Sequence, residues 1–143
     1  MSIWKQRVTI DHLNRLNENT MGASIGIEFT SIGDNYLEAT MPVDHRTVQP
    51  MGLLHGGASV AMAETLGSVA GVLVLENTDQ QAVVGIEINA NHLRAATEGI
   101  VTGRVEPIRI GRSIQVWRII IRDEQNRQIC ESRLTTMVIN RGA

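Results

Sequence analysis

With 143 residues, 43% hydrophobic content and a net charge of −2, the chain has the size and composition of one globular domain over 1–143. The charge balance excludes the clustered basic excess of a nucleic-acid binder, so no nucleic-acid partner is expected. Cys130 is the one cysteine, which excludes an intrachain disulfide and a cysteine-based zinc site. The opening Met-Ser-Ile-Trp-Lys-Gln-Arg lacks the apolar core of a signal peptide, which predicts a cytoplasmic chain. Thr9 is placed to cap a short helix carrying Ile10, Leu13 and Leu16 along one side. Asn17–Gly22 reads as a loop. Strands are predicted over Ile25–Ile32 and Tyr36–Val43, joined by Gly33-Asp34-Asn35, with an irregular connection from Pro42 to Gly52.

From His55 to Glu76 apolar and small residues run all around the helical cylinder, which predicts a helix covered on nearly every side. Within Gly56–Gly71, ten of sixteen residues are Gly, Ala or Ser, and so slim a helix lets a sheet approach its backbone. Each glycine costs roughly 1 kcal/mol of helix propensity relative to Ala, which close packing or a ligand must offset. Leu53–Leu75 is near the roughly 20 residues of a membrane span. Glu64 in its middle and its small residues favour a helix inside a soluble protein, with no membrane partner. Four long strands follow: Ala82–Leu93, Ile100–Ile110, Ile114–Arg122 and Ile129–Ile139. Ile86, Ile88 and Ala90 alternate with Glu87, Asn89 and Asn91, as one covered face requires. The expected fold class is α+β, an antiparallel sheet curled around one long helix.

The chemistry concentrates in Gln49-Pro-Met-Gly-Leu-Leu-His-Gly-Gly-Ala-Ser-Val-Ala-Met-Ala-Glu64-Thr-Leu-Gly-Ser68. The residues alone leave three readings of Glu64. It is paired with one of the arginines, exposed at a helix edge, or a general base or nucleophile set in an apolar cleft with a raised pKa. His55-Gly56-Gly57 falls at the helix start, where amides lack carbonyl partners and a bare glycine admits a ligand oxygen. That is an oxyanion site or an ordinary glycine-rich helix entry. Ser68 shares the helix face of Glu64 at i+4, and either bonds the carboxylate or a water or bonds back to its own helix. Gly56 and Glu64 are eight residues apart, about 12 Å along a helix. One carbonyl cannot meet both, so a two-fold dimer with sites at the interface is expected. There is no Walker loop, dinucleotide fingerprint or His-Glu-x-x-His motif, and His12, His45, His55 and His92 are scattered, so no metal is expected. His92 with Arg94, and Arg109, Arg112 and Ser113 around Gly111, are either phosphate clamps or a solvated basic rim.

Gln49-Pro-x-Gly-x-Leu-His55-Gly56-Gly57-x-Ser-x-x-x-Ala-Glu64-x-x-Gly-Ser68 resembles the signature of hotdog-fold acyl-CoA thioesterases of the Arthrobacter 4-hydroxybenzoyl-CoA type. Ile3-Trp4-Lys5, Leu37–Val43, Val83–His92 and Ser132–Thr135 are similar to the branch that acts in menaquinone synthesis and enterobactin proofreading. The resemblance implies a hotdog fold and hydrolysis of an acyl-CoA thioester, with an aromatic acyl group, without cofactor and with coenzyme A entering only as part of the substrate. It implies Glu64 as base or nucleophile, the Gly56 amide on the thioester oxygen, His55 and Gln49 as positioning groups, and Ser68 orienting water. Gly85, His92, Arg94 and Ala95, with Arg109, Gly111, Arg112 and Ser113, would hold coenzyme A. A homodimer with shared sites, assembled as a dimer of dimers, is implied as well. Met51 replaces the family's frequent Phe, and its flexibility predicts altered acyl preference with intact chemistry. A hotdog enoyl-thioester hydratase and a non-catalytic acyl-CoA binding module are the alternatives.

Overall fold

The computed structural model describes residues 1–142. Helix α1 spans Ile10–Asn17, with the Thr9 hydroxyl accepting the His12 N–H at 3.1 Å as its cap. Leu13 is buried, whereas Leu16 stays exposed at the helix end. The expected loop over Asn17–Gly22 instead leads into a one-turn helix, α2, at Met21–Ser24, capped by Thr20. Four residues are too few to show a hydrophobic period, so only the Thr cap could have signalled it.

Strands β1 (Glu28–Ile32), β2 (Leu37–Pro42), β3 (Gln81–His92), β4 (Ile100–Ile110), β5 (Ile114–Arg122) and β6 (Gln128–Asn140) form one antiparallel sheet. Its order is β1-β2-β4-β5-β6-β3. The 18-residue helix α3, Gly56–Leu73, lies against it. Leu37, Ala39 and Met41, Val101 and Val105, and Trp117, Ile119 and Ile121 alternate inward with residues that face solvent. They meet Met62, Ala63, Leu66 and Ala70 of α3 in one core. The small residues permit this approach. A Cβ on Gly67 would collide with the Leu134 side chain, and one on Gly71 would lie 2.6 Å from Gln115 Oε1. Gln115 turns that closeness into a clamp, since its Nε2 donates to the Gly71 carbonyl while its Oε1 accepts from Trp117 Nε1 and Thr136 Oγ1.

The coverage of α3 is less complete than its composition suggests. Ala61, Glu64, Thr65, Ser68 and Val69 are half-buried, and Val72 is exposed. An uncharged stripe interrupted by Glu64 therefore faces outward from this chain. The two sheet edges also differ. Asn14 of α1 brackets Phe29 through both backbone groups, at 3.0 and 2.8 Å, and Asn17 donates to the Ile27 carbonyl, so α1 covers the β1 edge. At the other edge none of the twelve residues of β3 is buried. An open edge with Val84 and Ile86 exposed is an unpaired hydrogen-bonding surface.

The alternation along β3 also departs from expectation. The register with β6 shifts between Gly85 and Glu87. Before this bulge Val83 faces α3, with a methyl 3.1 Å from where a Gly71 Cβ would stand. After it, Ile88 and Ala90 pack on the core, while Ile86 is 49% exposed. The extra residue switches which parity of side chain points inward.

Candidate active site

Helix α3 runs antiparallel to β3. Gly56 lies at His92, Glu64 at Gly85 and Gly71 at Val83. Glu64 stands mid-helix, and its carboxylate rests on the bare Cα of Gly85. Among the described residues no arginine, lysine or hydrogen-bond donor pairs with it, and its oxygens reach solvent. The arginine-paired reading is thereby removed. Burial without a partner pushes the Glu64 carboxyl above its ordinary value of 4.5.

His55 is the N-cap of α3. Its Nδ1 accepts the Gly57 N–H at 2.8 Å, and its carbonyl accepts from Ala58 and Ser59. A lone pair on Nδ1 leaves the proton of neutral His55 on Nε2, facing away from the helix. Gly56 supplies the one amide of this first turn with no acceptor among the described residues. Gln49 is anchored in the same manner. Its Oε1 accepts the Met51 N–H and its backbone bonds Leu53, leaving the Nε2 amide protons free. Three donors of different kinds therefore stand at the start of the helix: a backbone amide, a carboxamide and an imidazole.

Gln49, Leu54, Gly56, Ser59, His92 and Arg94 line a cleft of ≈ 380 Å³ there, with Ala95 at its edge. The His92 ring lies over Gly56, and a Cβ at that glycine would come within 2.8 Å of Nε2. A second cavity, ≈ 410 Å³, opens beside Ser68 and is walled by Leu13, Leu16, Phe29, Val69 and Val72, with His12 at its rim. Pattern reading did not mark these walls, because they gather from α1, β1 and α3. The Ser68 hydroxyl makes no hydrogen bond among the described residues, whereas Thr65 bonds back to the Ala61 carbonyl at 2.7 Å. Back-bonding therefore describes Thr65 and not Ser68. A larger groove of ≈ 560 Å³ on the outer sheet face is lined by Glu38, Arg104, Glu106 and Arg118. There Arg104 pairs with both glutamates, and Arg118 pairs with Glu131, so the charges are already compensated.

The remaining sequence-derived positions separate into two groups. His92, Arg94 and Ala95 lie where β3 ends beside the start of β6. Arg109, Gly111, Arg112 and Ser113 form the β4–β5 turn at the opposite end of the sheet, where the Ser113 carbonyl accepts from Val138. One chain does not bring the two groups together. Among the described residues no cluster of His, Cys, Asp or Glu could hold a metal.

Residues 51–130 match the family described as the thioesterase superfamily. The chain is 55% identical over 137 residues to the 1,4-dihydroxy-2-naphthoyl-CoA hydrolase of Escherichia coli, covering 96% of this chain and 99% of that one. It is 54% identical to the proofreading thioesterase EntH of Cronobacter turicensis, covering 96% and 98%. The crystal structure of a thioesterase from Haemophilus influenzae superposes with a TM-score of 0.95 at 54% identity, covering 99% and 97%.

Proposed function

The chain belongs to the thioesterase superfamily, carries its hotdog fold and is a thioester hydrolase, and on that basis we propose that it cleaves an aromatic acyl-CoA using Glu64. The single observation that carries this reading is the Glu64 carboxylate, half-buried in the middle of α3, charge-unpaired and seated against Gly85. The acyl carbonyl docks with its oxygen on the Gly56 N–H, assisted by the Gln49 carboxamide, where the helix dipole steadies the developing negative charge. Glu64 attacks the carbonyl carbon, or takes a proton from a water held by Ser68 that attacks instead. Collapse of the tetrahedral intermediate breaks the C–S bond, and the sulfur leaves as the thiol of coenzyme A after protonation. The other product is the free carboxylic acid, formed directly when water is the nucleophile and, when Glu64 attacks, after a water cleaves the acyl–Glu64 anhydride and regenerates the carboxylate. No cofactor is needed for these steps.

Eight residues of continuous helix, about 12 Å, separate the Gly56 amide from Glu64. The two therefore act on one carbonyl only if they come from different copies. The open β3 edge supports a homodimer, since antiparallel β3–β3 pairing extends the sheet and sets one helix beside its twin. The same pairing carries the Arg109–Ser113 turn of one copy toward the His92–Ala95 end of the other. That would unite both coenzyme A groups at one site. The resemblance to the family further implies association into a dimer of dimers. An aromatic acyl group is supported by the apolar cavity beside Ser68, one helical turn beyond Glu64. The Escherichia coli relative is by name a hydrolase of 1,4-dihydroxy-2-naphthoyl-CoA, an aromatic thioester, and a cytoplasmic setting accords with coenzyme A chemistry.

Release of free thiol from benzoyl-CoA, read with a thiol reagent, tests the reaction. Hydration of an enoyl thioester would release none, and a binding module would show affinity without turnover. Single-turnover hydrolysis in ¹⁸O-labelled water separates the two routes, because a covalent anhydride places label in the enzyme carboxylate.

A further inference from the structure

Gly85 is a strand glycine with a structural cost and no backbone reason to exist. Glycine in a strand interior loses packing and entropy relative to any other residue. The positive-φ glycines are Gly26, Gly52, Gly99 and Gly142, so Gly85 occupies a conformation open to L-residues. What its missing side chain leaves room for is the Glu64 carboxylate. A Cβ there would overlap Glu64 Oε1 and stand 3.3 Å from Cδ and 3.6 Å from Oε2. The bulge that follows turns Ile86 outward and gives Gly85 the inward place, whereas an unbroken alternation from Ile88 would have put Ile86 under the helix.

We propose that Gly85, with the bulge beside it, is a positioning residue for the hydrolysis, its bare Cα fixing where the Glu64 carboxylate stands. This rests on the reading of Glu64 as the acting carboxylate. An ordinary contact requires 3.4 Å or more, so a methyl at position 85 makes Oε1 retreat by roughly 1 Å. The obstacle is the end of a flexible side chain, so folding absorbs the change while the reacting atom moves. A displacement of that size costs up to about 10²-fold in rate.

The test uses the full chain with benzoyl-CoA as probe. Gly85→Ala is expected to lower kcat tenfold to a hundredfold, with KM within about twofold and the melting temperature unchanged or higher. Glu64→Asp shortens the side chain by one methylene, and in the Gly85→Ala background it is expected to restore part of the lost rate while lowering it in the native background. Wild-type turnover by Gly85→Ala, or a rate lost together with the melting temperature, would overturn the assignment. Glu64→Gln separates the two levels. If that variant is inactive while Gly85→Ala is fully active, only the positioning role fails; if Glu64→Gln retains the full rate, the parent reading fails.

Discussion

The imidazole of His55 and the backbone of Gly57 are joined by a 2.8 Å hydrogen bond in which Nδ1 is the acceptor. That one bond gives His55 two separable jobs. It caps the helix through Nδ1, and it presents an Nε2–H donor on the opposite side of the ring. Asn is an equally good cap, but its shorter side chain holds the free Nδ2–H donors nearer the helix than the imidazole Nε2–H. His55→Ala is expected to lose about 1 kcal/mol of stability together with activity. His55→Asn is expected to melt near the wild-type temperature with kcat/KM still reduced. Thermal melts and steady-state kinetics on both variants check this.

The proposed role of Glu64 predicts the acid limb of activity. In that reading the reacting form is the carboxylate, and burial raises its pKa above 4.5. The rate is therefore expected to fall on acidification at an apparent pKa above that value, and Glu64→Gln to lower kcat about 10²–10⁴-fold with KM largely kept. Stability moves oppositely. A group whose pKa is raised by folding contributes stability that is full below its unfolded value and lost as pH rises through the folded one. At neutral pH, Glu64→Gln is expected to melt above the wild type, and the gap to close below pH 4.5. Melts across pH read this directly.

Sharing of sites across a two-fold axis has an arithmetic signature. Gln49→Ala and Glu64→Gln chains are each expected to be nearly inactive alone. Coexpressed in equal amounts, half the dimers are mixed, and each mixed dimer holds one intact site. Activity is expected to recover to about a quarter of wild type. Mixtures that stay inactive would show that Gln49 and Glu64 act from the same chain.

Gly67 tests the slim helix itself. Its Cα faces Leu134, which is fully buried. Gly67→Ala is expected to destabilise by about 1–3 kcal/mol through overpacking, visible as a lower denaturation midpoint in urea.

Legibility in the amino-acid pattern follows the range of the interactions. The Thr9 cap, the Gly111 turn and the long strands are local, and each stands within a few residues of its expected bounds. The helix was readable as slim and apolar, and Glu64 stood out as its lone charge. What could not be read is who covers whom. The contact of Glu64 with Gly85 joins residues from different elements, and the bulge that makes it possible leaves no mark in a stretch of alternating apolar and polar residues. Ile86 shows the limit best, since periodicity alone puts it inside and the register shift turns it out. The cavity beside Ser68 behaves likewise, because Leu13, Phe29 and Val69 meet only once α1 is folded against β1.

The N-terminal segment threads across the end of α3. The N–H groups of Lys5 and Gln6 both donate to the Leu73 carbonyl, the Gln6 carboxamide donates to Leu75, and Trp4 stacks on Trp117 with ring centroids 6.5 Å apart. Those two rings are the only tryptophans in the chain. Its tryptophan emission therefore comes from a single spot where that thread crosses the sheet, beside the cavity wall that Gln6 and Leu73 share. The molecule carries its own optical gauge. Loosening of the thread during ligand entry would register as a change in tryptophan fluorescence without any added label.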